Sequence, residues 1–308
     1  MKFITDAQVA QVFTMREAIE AMRTAFTQFG NGAGAVLARG RANADFDGKT
    51  STISAMGAAL PGSDVLGTKV YSTVNGKFNF VINLFSATSG APTAVFEANE
   101  LTRLRTAAAT ALAIENLARK DSRVLAIFGS GTQARAHVEA LLLVHKFDQI
   151  LICARSNADD FAHWIETKLQ VKTQIVDAST AAAKADVIVT CTRSNEALFD
   201  GNLVRPGTLV AAVGSSKPAA RELDDALLAR AAMIVVEWLP AAKAEAGEFV
   251  RAGCGIINDE KVKELGQFIA HSSPRIADDI LIYKSVGIGL EDIAIAKLIF
   301  DKLTLASN

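Results

Sequence analysis

The chain has 308 residues, with 32 basic against 33 acidic side chains and a net charge of −1, a balance with no electrostatic footprint for nucleic acid or an anionic membrane surface. Its length allows two domains, and 50% hydrophobic residues with only 6% aromatic ones point to aliphatic-rich globular cores. Cys153, Cys191 and Cys254 lack CxxC spacing, no apolar run approaches the roughly eighteen residues of a membrane span, and MKFITDAQVAQVF has no leader-cleavage pattern, so a reduced cytoplasmic protein is expected.

Thr14 and Glu17 form a T-x-x-E capping box. Ala18, Ile19, Met22, Ala25, Phe26 and Phe29 follow at helical spacing until Gly30, which predicts an amphipathic helix with a core-facing stripe. Residues 30–48, rich in glycine and charge, read as loop. Strand-like runs follow at 52–55, 65–73, 78–85 and 93–97, separated by Pro61-Gly62, Asn75-Gly76 and Ser89-Gly90, and predict a largely antiparallel sheet. The run with Phe78, Phe80, Val81, Ile82, Leu84 and Phe85 is apolar on both faces, so one face is expected to pack on a second copy in a homodimer.

An alanine-rich helix is expected over 101–119. Strands at 123–128, 149–153, 171–176, 186–190, 208–213 and 232–236 then alternate with helices in the doubly wound α/β manner. Residues 237–278 read as irregular, 280–283 as a strand, and 290–303 as a closing helix that returns to the first domain. The expected domains are 1–118 with 284–308, and 119–283.

Val124–Phe128 reads as a buried parallel strand that runs into Gly129, Gly131 and Ala134, a G-x-G-x-x-A turn opening a helix. Gly129 permits the tight turn, Gly131 lets backbone approach a pyrophosphate, and Ala134 lets helix and strand pack closely while helix amides face the negative charge. About twenty residues on, where an acid would bind the ribose 2′-hydroxyl of NAD, stand Arg155 and Ser156. Guanidinium and hydroxyl suit a 2′-phosphate, so NADP(H) is favoured and NAD(H) remains possible.

His137, His145, His163 and His271 show neither metal-ligand spacing nor a triad partner, and no metal is expected. Asp224-Asp225 and Glu291-Asp292 fall at helix starts and read as capping and dipole complementarity. Three cations remain. Arg41 lies in the loop, Lys69 lies among Leu66, Val70 and Tyr71, and Arg105 lies one turn into the alanine-rich helix. A buried ammonium needs an anionic partner, and a cation near a helix start needs an answering anion. Together they suggest a clamp for a ligand carboxylate.

The segments LGTKVYS, LTRLRTAAATALA, FGSGTQARAHVEAL, AAVGSSKPAARELD, AEAGEF and KSVGIGLEDIAIAKLIF resemble, in order, the signature blocks of the ornithine cyclodeaminase/mu-crystallin family, over roughly residues 40–303. The resemblance implies an NAD(P)-binding Rossmann domain plus a substrate-binding and dimerisation domain. It makes Lys69 and Arg105 substrate-carboxylate ligands, with Arg41 as the third and Arg39 a nearby competitor, and places Ser285 and Val286 near the nicotinamide. The expected cofactor contacts are Gly129, Gly131, Thr132, Gln133, Ala134, Arg155, Ser156, Thr190, Cys191, Thr192, Val213, Gly214, Ser285 and Arg105.

Departures from the family pattern bear on the reaction. The Asp that cyclodeaminases and the archaeal alanine dehydrogenase carry is Ser216 here, as in mu-crystallin, and the Glu two residues before Met56 is Ser54. A hydroxyl does not titrate near neutral pH and cannot replace a carboxylate as base or ammonium partner. The expected activity is therefore NAD(P)H-dependent reduction of a cyclic imino acid, Δ1-pyrroline-2-carboxylate to L-proline or the six-membered homologue to L-pipecolate, with Lys69 or a water held by Ser216 as proton donor. Ornithine cyclodeamination, alanine dehydrogenation and NADPH-dependent binding of a small aromatic ligand are the alternatives.

Overall fold

The computed structural model describes residues 1–271 and 278–305, the side chain of His271 excepted. They pack as two units, one of residues 1–109 with 287–305 and the other of residues 110–271 with 278–286. In chain order the elements are β1 (Lys2–Ile4), α1 (Asp6–Val12), α2 (Met15–Gly30), β2 (Ala35–Phe46), β3 (Lys49–Leu60), β4 (Val65–Val74), β5 (Lys77–Phe85), β6 (Pro92–Glu97) and α3 (Asn99–Leu117). There follow β7 (Val124–Phe128), α4 (Thr132–Val144), β8 (Gln149–Cys153), α5 (Ala158–Trp164), β9 (Lys172–Ile175), α6 (Ala178–Lys184), β10 (Val187–Thr190), β11 (Leu209–Ala212) and α7 (Asp225–Arg230). The chain closes with β12 (Met233–Val236), α8 (Leu239–Glu245), α9 (Gly247–Val250), β13 (Val262–Glu264), α10 (Leu265–His271), β14 (Leu281–Lys284) and α11 (Gly289–Leu305).

In the first unit α2 starts as its sequence requires. Thr14 Oγ1 accepts from Glu17 N–H while the Glu17 carboxylate takes Thr14 N–H, satisfying two amides that a helix start otherwise leaves open. The buried stripe Ala18, Ile19, Met22, Ala25 and Phe26 faces inward, and α2 packs against α11. Six strands in the order β1-β6-β5-β4-β3-β2 form the sheet, with β1 parallel to β6 and every other neighbour antiparallel.

The loop expected over 30–48 is instead largely the twelve-residue strand β2. As the outermost strand it pairs only with β3. Its side chains are mostly exposed, so the alternation that betrays a half-buried strand is missing. Helix α11 lies against β3, β4 and β5. Close approach is possible because Gly289 meets Gly57, where a Cβ would fall 2.3 Å from the Gly57 carbonyl oxygen. On the uncovered face Phe3, Leu37, Ile53 and Val81 are exposed.

The second unit is an eight-stranded parallel sheet in the order β13-β12-β14-β11-β10-β7-β8-β9. From the β7–β10 pair the chain runs outward through β8 and β9 on one side and through β11 on the other, where β14 is inserted between β11 and β12. That pair is the topological switch point of a doubly wound fold. Ala126, Phe128, Ile188, Val210 and Ile282 are among its fully or almost fully buried core residues. The stretch expected to be irregular, 237–278, contains α8, α9, β13 and α10; these elements are three to seven residues long, too short for a hydrophobic period to emerge. Residues 272–277 of that stretch lie outside the described residues. No helix among the described residues is long and apolar enough to cross a membrane.

Candidate active site

On β4 the alternation turns Val65, Gly67, Lys69 and Tyr71 toward the helix-covered side. Because α11 meets the sheet at glycines, the acids of its first turn come down against that row. Asp292 Oδ1 accepts from Lys69 Nζ at 2.9 Å and lies 3.2 Å from Arg105 Nε. Glu291 Oε2 accepts from Arg105 Nη1 at 2.8 Å, and its other oxygen takes Ile288 N–H at 3.0 Å. Lys69, Glu291 and Asp292 are 0% exposed and Arg105 8%. Burial pushes the Lys69 ammonium down to about 7, and the Arg105 charge pushes the same way, against the pull of Asp292.

Those two carboxylates bear on two expectations at once. The helix-start reading holds for Glu291, whose Oε1 takes the Ile288 N–H, while Glu291 Oε2 and Asp292 pair with basic groups. The anions that answer Lys69 and Arg105 are thus the protein's own. Asp292 Oδ2 remains buried without a hydrogen-bond partner.

The third cation near the cluster is Arg39. The pairing of β2 with β3 slips between Leu37 and Gly40, and the bulge swings Arg39 inward so that Nη2 donates to the Gly287 carbonyl at 2.8 Å and lies 3.2 Å from Met56 Sδ. A Cβ on Gly287 would lie 2.4 Å from Arg105 Nη1, so the two guanidiniums flank this glycine. Arg41, the residue expected from spacing, is exposed opposite Ser54. Phe80 lies 4.5 Å under Lys69 Nζ, stacked on Phe78 and tilted against Tyr71, which gives the cations an aromatic wall.

The second unit carries the dinucleotide turn. Gly129 has φ +106°, a region open to glycine, and a Cβ there would fall 2.8 Å from the Cys191 carbonyl oxygen. Gly131 is the N-cap of α4, with no side-chain cap and no atom near its missing Cβ. Open space over uncapped helix amides is what a pyrophosphate needs, so the residues fit a nicotinamide dinucleotide. Thr132 and Gln133 open the helix and Ala134 is buried beneath it. Ser130 Oγ donates to the Ser156 carbonyl at 2.7 Å, which sets exposed Arg155 and Ser156 beside the turn.

Thr190, Cys191 and Thr192 leave β10, and Val213, Gly214 and Ser216 leave β11, on the same edge of the sheet. Ser285 N–H donates to Ala212 O and Val286 N–H to Glu237. Burial raises the Cys191 thiol well above its usual range, which keeps it neutral and poorly nucleophilic. His137 is buried between Gln133 O and Thr110 Oγ1, and burial lowers it to about 4. Among the described residues no group of three or more His, Cys, Asp or Glu could hold a metal ion. A groove of about 840 Å³ between α2 and α11 is lined by none of the expected site residues, and Glu17–Lys302 and Lys297–Asp301 pair within it.

Sequence reading missed Glu222 altogether, and it noted Glu291 and Asp292 at a helix start without their role as partners of the cations. A signal was available for the last two, because an adjacent Glu-Asp pair inside the apolar helix GLEDIAIAKLIF must find cations to be buried.

A family model described as the ornithine cyclodeaminase/mu-crystallin family matches residues 1–307. The mouse ketimine reductase mu-crystallin (Mus musculus) is 33% identical over 258 residues, which span 81% of this chain and 80% of the mouse protein. The solved structure of a probable ornithine cyclodeaminase from Bordetella pertussis superposes with a TM-score of 0.94 at 40% identity, covering 99% of this chain and 98% of that one. The Δ1-pyrroline-2-carboxylate reductase of Thermococcus litoralis, solved with NADH and L-proline, superposes with a TM-score of 0.92 at 28% identity, covering 100% of this chain and 98% of that one.

Proposed function

Because the chain belongs to the ornithine cyclodeaminase/mu-crystallin family, we propose that it is a nicotinamide-dependent reductase of cyclic imino acids, forming L-proline from Δ1-pyrroline-2-carboxylate or L-pipecolate from the six-membered homologue. The observation that carries this reading is the Lys69–Asp292–Arg105 cluster beside the Phe78–Phe80 wall. Of the cluster's groups only the two guanidiniums, Arg105 and Arg39, keep accessible surface, so an incoming carboxylate meets them first. Arg39 takes the place that spacing assigned to Arg41. The wall accepts an apolar ring, and uncommitted Asp292 Oδ2 is an acceptor for an iminium N–H.

When bound, a reduced nicotinamide supplies the hydride that turns the imine carbon into CH. The chain's own task is to hold a proton on the imine nitrogen, since the iminium carbon is the better acceptor. Lys69, titrating near neutrality, suits that task, and a water held by Ser216 is the alternative donor. For the cofactor itself, Gly129, Gly131, Thr132, Gln133, Ala134, Thr190, Cys191, Thr192, Val213, Gly214 and Ser285 are the proposed contacts, and Arg155 with Ser156 favours NADP(H).

Residues 1–118 with 284–308 are the proposed substrate-binding and dimerisation domain, and 119–283 the cofactor domain. The exposed apolar sheet face supports a homodimer. Three unpaired cysteines are consistent with a reducing cytoplasm.

Ornithine cyclodeamination is a second reading, favoured by the likeness to the Bordetella protein. Ser54 and Ser216 weigh against it, because neither can hold an ammonium or act as a base at neutral pH. The deciding experiment follows NADPH and NADH absorbance with synthetic pyrroline-2-carboxylate and with pyruvate plus ammonia, and measures ammonia released from ornithine. Proline and ammonia from ornithine, with the imine inert, would overturn the first reading.

A further inference from the structure

Beneath the two turns that leave β10 and β11 lies a carboxylate that touches neither solvent nor any expected ligand. Glu222 is 0% exposed. Its Oε1 accepts from Thr192 N–H at 2.9 Å and Thr192 Oγ1 at 2.6 Å, and its Oε2 from Gly214 N–H at 2.8 Å and Thr190 Oγ1 at 2.6 Å. One side chain therefore joins main chain from both turns.

Glu222 is itself held. Its N–H donates to Glu248 Oε1 at 2.8 Å, and Glu248 Oε2 lies 3.1 Å from Lys284 Nζ, with Glu248 and Lys284 both 0% exposed. Lys284 Nζ donates in turn to the Ser215 carbonyl at 2.9 Å. The turn carrying Gly214, Ser215 and Ser216 is thus fastened at Gly214 by Glu222 and at Ser215 by Lys284. Gly214 packs so closely on this carboxylate that no side chain fits, since a Cβ there would fall 2.4 Å from Glu222 Oε1 and 2.2 Å from Thr192 O.

These turns stand beside the topological switch point of the sheet, at the carboxyl ends of β10 and β11. Ligands of doubly wound folds bind at that edge. A buried carboxylate hydrogen-bonded at both oxygens, as Glu222 is, rigidifies what it joins, and a preorganised site loses less on binding than one that must first be ordered.

We propose that Glu222, locked by Glu248 and Lys284, is a positioning residue that fixes the 190–192 and 213–214 turns in the conformation that receives the nicotinamide dinucleotide; this rests on the reading of those turns as cofactor contacts. The geometry makes the glutamate specific. Each carboxylate oxygen faces a main-chain N–H, so the Glu222→Gln amide, in either orientation, sets an NH2 group against an N–H donor.

The test is a fluorescence titration of the intact protein with NADPH and NADH, together with steady-state kinetics on the imine and thermal unfolding. Glu222→Gln is expected to weaken dinucleotide binding by about tenfold or more, raising the dinucleotide KM while the KM for the imino acid holds. Glu222→Asp keeps the charge but shortens the reach to the two turns and is expected to weaken binding about threefold, which decides the matter if Glu222→Gln does not fold. Unchanged dissociation constants in a folded variant, with only the melting temperature lowered, would overturn the proposal. Failure of the unaltered protein to bind either dinucleotide would instead sink the cofactor reading beneath it.

Discussion

Asp292 Oδ1 stands 2.9 Å from Lys69 Nζ, with side-chain exposures of 0% and 1%. Removing the charge of one partner leaves the other buried and uncompensated, a loss of about 3–5 kcal/mol in comparable pairs. Asp292→Asn is expected to lower the melting temperature markedly and kcat by about 100-fold. A variant with unaltered kcat would remove Asp292 from the reaction.

The pH profile should carry the mark of Lys69. With an ammonium held near 7 in the folded protein, kcat/KM is expected to fall as pH rises above about 7. In Asp292→Asn the fall should begin at lower pH, because Asp292 is the group that favours the charged form. Stability runs the other way. Between the ordinary lysine value of 10.5 and about 7 the unfolded chain takes up a proton that the folded chain refuses, so this group makes folding less favourable as pH falls across that window.

Arg39 and Arg41 make a pair of matched substitutions. Arg39→Ala is expected to raise the imino acid KM by about tenfold or more and Arg41→Ala by less than about twofold, since Arg39 is half-buried beside Gly287 and Met56 while Arg41 is exposed. Reversed effects would restore Arg41 to the site.

Arg155→Ala is expected to raise the NADPH KM by about tenfold and leave NADH unchanged, as loss of a phosphate partner should. An equal response to both cofactors would dismiss the 2′-phosphate reading.

His137 predicts acid sensitivity. Folding holds it near 4, below its ordinary 6.5, so stability is full above about 6.5 and declines as pH falls toward 4, by up to a few kcal/mol. Thermal unfolding across that range should show a slope that His137→Gln flattens.

Much of this architecture was legible because its signals are local. The Gly129-Ser-Gly131 turn, the Thr14–Glu17 cap and the apolar strands of the parallel sheet each declare themselves within a few residues. Lys69 was legible too, as a charge in an apolar strand, and Arg105 as a cation near a helix start. Their partners were not, because Asp292 and Glu291 lie 223 and 186 positions away, and a helix start offers acids a ready local explanation. Arg39 was legible only as a competitor of Arg41, because a region read as loop gives no sign of the bulge that turns Arg39 inward. Strand β2 was hidden by exposure, since an outer strand shows backbone pairing and little hydrophobic pattern.

The distance along the chain between Lys69 and Asp292 also sets an order of assembly during synthesis. At roughly 5–20 residues per second, a ribosome that has made Lys69 needs about ten to forty-five seconds to reach its counter-charge 223 residues on. The whole parallel sheet emerges in that interval. The nascent amino-terminal half therefore waits with an unanswered lysine in an apolar strand, and the polypeptide's final segment completes it.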